Sequence, residues 1–249
     1  MKDIPKSHPR YKSLKTREKM KDALKKGLIH ETGLIAHGRG EAFDYLIGEK
    51  TISIVDDSEK VAAAALIVAK NPVISVNGNV VALSSKDCVD LADLLKAKIE
   101  INLFHRSNRR MKLLRDELIE NSAKKVYGFK GDAKIPGLDH NRGICDKDGI
   151  FSSDVILVPL EDGDRCQALK NMGKKVITID LNPLSRTSKT ADITIVDNIT
   201  RAVPNIIRWV KLLQNEDKNK LERIVTEWDN TKNLKEVNVF LSKRLNSIV

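Results

Sequence analysis

Five polar clusters stand where short apolar runs end: Ser75-Val-Asn-Gly-Asn79, Asn102-Leu-Phe-His-Arg106, Glu161-Asp-Gly-Asp-Arg165, Asp180-Leu-Asn-Pro-Leu-Ser-Arg-Thr-Ser188 and Asp197-Asn-Ile199. Each alone reads as a turn, because Asn, Asp, Gly and Ser favour turns. If the runs are parallel strands, however, all five converge on the edge where open α/β sheets bind ligands. Asn182, Ser185, Arg186 and Thr187 offer amide, hydroxyl and guanidinium groups suited to a nucleotide, on a loop stiffened by Pro183. Glu161, Asp162 and Asp164 bracket a glycine and suit Mg²⁺ held by one or two carboxylates, with substrate phosphates completing its shell. Asp164 suits equally well a cap on the following helix. In Gly38-Arg39-Gly40 an arginine between two glycines predicts either close backbone approach with a guanidinium clamp on phosphate, or a simple turn. His37 and His140 read as hydrogen-bonding partners before acids or bases. His8, His30 and His105 show no metal-ligand spacing, and the cysteines have no paired base.

Familiar alternatives are missing. The chain has no Gly-x-x-x-x-Gly-Lys-Ser/Thr, no Gly-x-Gly-x-x-Gly after a strand, no Gly-x-Ser-x-Gly and no His-Glu-x-x-His. P-loop ATPase, dehydrogenase and serine hydrolase lose weight accordingly.

The elements that must position these clusters follow from hydrophobic pattern. Val73–Val76, Ile99–Leu103, a weaker Lys125–Phe129, Asp154–Pro159, Lys175–Ile179 and Asp192–Val196 read as strands. Helical patterns at Asp87–Lys96, Arg109–Ile119 and Arg165–Met172 lie between them. Such alternation predicts right-handed crossovers. The expected fold is α/β: a Rossmann-like, mostly parallel sheet with helices on both faces and helical N- and C-terminal flanks. Lys15–Leu28, Ala42–Leu46, Ile199–Leu213 and a stripe of Leu221, Ile224, Val225 and Trp228 supply the flanks. That stripe reads as core packing or a subunit interface. The segment 130–148, rich in Gly, Pro and charge, is the best functional loop candidate. One domain over residues 1–249 is expected, with a mainly helical segment 1–70, a sheet core 71–198 and a helical segment 199–249.

Composition agrees with a packed protein. The 249 residues are 41% hydrophobic and 31% charged, which excludes collagen-like and fully disordered chains. The longest apolar run, Val61–Ala69, is too short to span a bilayer, and Met1-Lys-Asp-Ile-Pro-Lys opens no apolar signal core. Cys88, Cys145 and Cys166, odd in number and widely spaced, fit a reducing, cytoplasmic setting. The formal charge is +10, of which residues 1–30 carry +7. With aromatics at 4% and no nucleic-acid reading motif, those lysines read as a solvated helix face or as a rim for a small polyanion.

Longer runs carry a resemblance. Ile4–Tyr11, Gly33–Gly48, Pro72–Asn79, Glu100–Phe104, Val158–Arg165, Ile179–Arg186 and Ala191–Asn198 resemble the archaeal phosphopantothenate synthetases, the 4-phosphopantoate–β-alanine ligases. The resemblance covers about residues 4–208 and departs at Lys15-Thr16 and His105, where that family is expected to carry aromatic residues. It implies a homodimeric ligase of coenzyme A biosynthesis that uses ATP with Mg²⁺, releases AMP and diphosphate, and passes through a phosphopantoyl adenylate. Carried onto matching positions, its nucleotide contacts are Arg17, Arg39, Asp180, Leu181, Asn182, Arg186, Thr187, Asn198 and Ile199. Such chemistry needs two anions brought together and in-line attack on the α-phosphate, so positioning and charge neutralisation suffice without a protein nucleophile. Arg39 then clamps phosphate, with Asp162 or Asp164 near the metal. Asn77, Asn79, Arg106, His140 and Arg142 are candidates for holding the other substrates. The alternative is a non-catalytic RNA- or nucleotide-binding protein that uses the basic face.

Overall fold

The computed structural model describes residues 4–247; Met1, Lys2 and Asp3, which open the basic segment, lie outside the described residues. Three helices come first: α1 (Tyr11–Lys26), α2 (Glu31–Ile47) and α3 (Ser53–Val68). They are followed by β1 (Val73–Val76), α4 (Gly78–Leu95), β2 (Lys98–Ile101), α5 (Asn108–Glu120) and β3 (Val126–Tyr127). A small antiparallel pair, β4 (Ala133–Lys134) and β5 (Ile144–Cys145), precedes β6 (Val155–Pro159), α6 (Gly163–Asn171), β7 (Lys175–Ile179), α7 (Arg186–Thr190) and β8 (Ile193–Ile195). Helices α8 (Ile199–Leu213), α9 (Lys218–Thr226) and α10 (Asn230–Asn246) follow.

The six main strands form one parallel sheet in the order β3-β2-β1-β6-β7-β8. Strand order therefore reverses between β1 and β6, and the crevice outside their carboxyl ends is where such sheets take ligands. Both faces are covered, which explains why the strands read as continuous apolar runs. Along β6, Val155 and Leu157 enter the larger core with α3, α4 and α8, while Ile156 and Val158 enter a second core with Cys166 and Leu169 of α6.

Several expectations need correction. Helix α4 is kinked at Ser84, whose backbone is non-helical, so the expected Asp87–Lys96 helix is its second half. Asn77-Gly-Asn79 is not a loop but the start of the first half, where Asn77 caps α4 by accepting the Val80 N–H at 3.1 Å. A side chain at Gly78 would meet the Leu28 carbonyl at 2.6 Å, so glycine lets the α1–α2 connection approach. Gly38-Arg39-Gly40 is neither a turn nor an irregular loop but mid-helix in α2. Glycine there costs about 1 kcal/mol relative to alanine, less than the capped helix gains by packing. Segment 130–148 is not one irregular loop: β4 and β5 fold it over the second core, with Ile135 and Leu138 buried. The α9 stripe packs on the core through Leu221 and Val225, with Trp228 just beyond the helix end.

One buried acid in this framework sets a pH dependence. Glu59 of α3 is fully buried and accepts from Asn205 at 3.2 Å, leaving Oε2 without a partner. Burial pushes its carboxyl up to about 9. The folded chain thus keeps Glu59 protonated where an unfolded chain ionises it. Its burial costs nothing below the ordinary carboxyl range, and the penalty grows by about 1.4 kcal/mol per pH unit until about 9. Glu59→Gln, uncharged throughout, should therefore gain stability over the parent as pH rises from 5 to about 8. Thermal melts showing a pH-independent difference would contradict this.

Candidate functional site

A cavity of about 570 Å³ opens at the carboxyl edge of the sheet, a size that suits a small-molecule ligand. Its roof is α2, which contributes His37, Arg39, Gly40, Glu41 and Phe43. The β1–β6 crevice contributes Asn79, Leu160, Asp162 and Gly163. The loops after β7 and β8 supply Asp180, Leu181, Asn182 and Thr187, then Asn198 and Ile199. Arg39, Asn182 and Asn198, distant in sequence, face a shared space.

The roof is charged toward the cavity. Arg39 is exposed and has no hydrogen-bond or ion-pair partner among the described residues. Glu41 accepts from Ser13 at 2.6 Å and from Arg17 Nε at 2.9 Å. Burial acts to raise the Glu41 carboxyl, but the bonds from Ser13 and Arg17 hold it below the usual range. Arg17 itself does not line the cavity; Glu41 fixes it at the rim. Burial lowers His37, keeping its imidazole neutral, and its Nε2 is buried without a partner.

On the far wall many side chains are spent internally. Asp180 accepts from the Ser185 hydroxyl and, at 2.9 Å, from the Asn182 N–H; burial raises its carboxyl. The Thr187 hydroxyl donates to the Glu161 carbonyl at 2.9 Å. Asn198 uses its amide on Asp44 at 2.9 Å and its Oδ1 to cap Thr200. What Asn198-Ile199 presents to the cavity is thus the start of α8, whose helix dipole favours anions, although its Thr200 and Arg201 N–H groups are already bonded to Asn198. Arg201 fixes this corner by donating to Asp44 at 3.2 Å and to Asp197 at 2.8 Å. Asp44 belongs to α2, so the roof and the far wall share one ion-pair cluster.

In the crevice, the three carboxylates expected near a metal have separate fates. Glu161 is buried between Arg142 and Arg165, themselves buried. Burial acts to raise its carboxyl, and the two guanidinium groups outweigh this and keep it ionised. Asp164 does not line the cavity; it bonds His140 Nε2 at 3.0 Å, while His140 Nδ1 accepts the Arg142 N–H. Asp162 alone stays open, its side chain 58% exposed. Asp162, not Asp164, occupies the cap position of α6.

Of the candidates for holding the other substrates, only Asn79 is part of the cavity wall. Asn77 bridges the crevice by donating to the Leu160 carbonyl at 3.1 Å. Arg106 bonds the Gly128 carbonyl, and Arg142 is held by Glu161. Arg186 lies over Gly163, where an added Cβ would meet it at 2.7 Å. Asn79 lines the cavity and donates to the Gly33 carbonyl at 2.8 Å. His105 stacks on His30 with centroids 3.9 Å apart. Sequence reasoning passed over Glu41 and Phe43; the four-residue spacing of His37 and Glu41 beside Arg39 was the available signal.

Comparisons with known proteins agree with one another. A family model described as phosphopantothenate/pantothenate synthetase matches residues 54–244. A protein of Thermococcus onnurineus (strain NA1) named 4-phosphopantoate–beta-alanine ligase is 51% identical over 246 residues, spanning 98% of this chain and 94% of its own. One of Methanosarcina mazei with that name is 52% identical over 236 residues, spanning 95% and 93%. Another, of Methanospirillum hungatei JF-1, is 53% identical over 220 residues, spanning 88% and 90%.

Proposed function

The chain belongs to the phosphopantothenate/pantothenate synthetase family, and from that premise we propose that its cavity joins 4-phosphopantoate to β-alanine, using ATP to form a phosphopantoyl adenylate and releasing AMP and diphosphate. The ligase activity is that of its archaeal relatives and belongs to coenzyme A biosynthesis. The observation that carries the ATP reading is the convergence of Arg39, Asn182 and Asn198-Ile199 on one enclosure at the sheet's carboxyl edge.

The adenosine half rests on the loops after β7 and β8. Leu181 and Ile199 give apolar surface, and Asp180 and Asn182 give polar contacts. Arg39 and the rim cation Arg17 receive the phosphates. Anions gain from the α8 N-terminus as well. Attack by the phosphopantoate carboxylate on the α-phosphate then needs alignment and charge neutralisation more than a protein nucleophile. Among the described residues no three His, Cys, Asp or Glu side chains form a metal-binding group. Mg²⁺ would be held chiefly by oxygens of the triphosphate and would shield the charge of the diphosphate leaving group.

The wider setting is proposed on the same premise. Ile35 and Tyr45, 66% and 60% exposed on α2, support a face for a second copy in a homodimer. Three buried free cysteines support a reducing cytoplasm. No helix among the described residues is long and apolar enough to cross a membrane. Incubation with ATP, Mg²⁺ and β-alanine should yield AMP only when 4-phosphopantoate is added. No AMP, beside salt-dependent polynucleotide binding, would favour the RNA-binding alternative.

A further inference from the structure

We propose that Asp162 is the residue that receives the amine substrate: its carboxylate binds the β-alanine ammonium and takes the proton released as the carbon–nitrogen bond forms. This rests on the adenylate reading above and assigns a role within the same cavity.

The first argument is local. An aspartate at a helix cap normally accepts an N–H of the first turn, a bond worth about 1 kcal/mol. Asp162 caps α6 by position, yet its side chain makes no such bond. Its neighbours take the nearby donors instead: Glu161 accepts the Asp162 N–H at 2.7 Å, and Asp164 accepts the Arg165 N–H at 2.9 Å. Asp162 lines the cavity instead, and local rules broken without compensation mark functional positions.

The second argument is by comparison within the cavity. Glu41 is held by Ser13 and Arg17, Glu161 by two arginines, and Asp180 by Ser185 and Asn182. Asp162 has only Arg142 Nε at 3.7 Å, beyond hydrogen-bond range. It is the cavity carboxylate left with acceptor positions for an incoming cation.

The third is topological and electrostatic. The nucleotide wall lies on β7 and β8, whereas Asp162 follows β6 in the crevice facing β1. An acyl carbon joined to AMP would lie between them, so an amine held at Asp162 would reach one face of the planar acyl group and form the tetrahedral adduct from which AMP departs. Arg142 beside Asp162 is already neutralised by Glu161, so the Asp162 carboxylate keeps its own charge for an incoming ammonium. Burial also raises the Asp162 carboxyl, with Glu161 and Asp164 adding to it against Arg142, which helps it hold a proton.

The step balances. The bound ammonium loses one proton to water, and its nitrogen lone pair attacks the acyl carbon. The carbon–oxygen bond to AMP breaks with its electron pair remaining on the phosphate oxygen. The second nitrogen proton, made acidic by bond formation, passes to a carboxylate oxygen of Asp162.

Half-reactions separate this role from others. In Asp162→Asn, phosphopantoate-dependent exchange of labelled diphosphate into ATP should stay within about threefold of the parent, while amide formation with β-alanine falls about a hundredfold or more. Hydroxylamine, a neutral nucleophile needing no ammonium site, should still be acylated by the variant, and Asp162→Glu should recover part of the β-alanine reaction. Retained exchange shows that the variant folds. Loss of exchange and ligation together would assign Asp162 to adenylation or to the metal and overturn the proposal. Normal ligation by Asp162→Asn would also overturn it. Absence of phosphopantoate-dependent exchange in the parent enzyme would remove the adenylate reading and this assignment with it.

Discussion

On the proposed function, Arg39→Ala should lower turnover by about 10²–10³ while leaving the melting temperature unchanged, because that reading puts the fixed positive charge of Arg39 where the α-phosphate gains negative charge. The fold has no stake in this side chain: it is exposed, has no ion-pair or hydrogen-bond partner among the described residues, and lies mid-helix, where alanine is the better helix former. Arg39→Lys should recover only part of the loss, since an ammonium is a point charge and cannot bind two phosphate oxygens through a planar fork. Steady-state AMP formation checks both variants, with circular dichroism confirming helix content. Near-normal turnover in Arg39→Ala would withdraw the phosphate clamp.

Glu161→Ala should produce the largest loss of stability. Glu161 is 2% exposed on its side chain and is the carboxylate between Arg165, fully buried, and Arg142, 5% exposed. Its removal leaves two guanidinium groups facing each other without a counter-charge, and breaking a buried pair in this way costs about 3–5 kcal/mol. For a chain of this size that corresponds to about 10 °C in melting temperature. Glu161→Gln should fall between, keeping shape but not charge. Because the folded carboxyl sits below its ordinary value, this stabilisation is present above the usual carboxylate range and is lost as pH falls through the depressed value. Urea unfolding of the parent and both variants checks the order; a loss below about 1 kcal/mol in Glu161→Ala would show that the arginines find other partners.

The sheet was legible because its buried strands are short apolar runs closed by polar turn-formers, as in Val155–Pro159, which is followed after Leu160 by Glu161-Asp-Gly-Asp164. The edge carrying the ligand followed from parallel order alone. Helix α3 was missed for the opposite reason: Val61–Leu66 is buried all round, so it shows no 3.6-residue alternation to distinguish it from a strand. Two glycines disguised α2, whose role as a roof depends on contacts with Asn198 and Arg201 at the start of α8, more than 150 residues away. Glu161 looked like a metal ligand because Asp162 and Asp164 flank it, while one of its neutralising partners, Arg142, stands 19 residues earlier in a segment that reads as loop. Local patterns reveal which groups are charged; only tertiary contacts reveal which charges are already satisfied.

The Asp44–Arg201–Asp197 cluster has one more consequence. Since Asp44 is bonded to both Asn198 and Arg201, α2 is riveted to the start of α8, which forms one wall of the cavity. Charge-assisted bonds of this kind are worth about 1.5–3 kcal/mol each, so swinging the helix outward would forfeit several at once. The roof of the cavity is therefore held in place by the fold's own contacts before any ligand arrives.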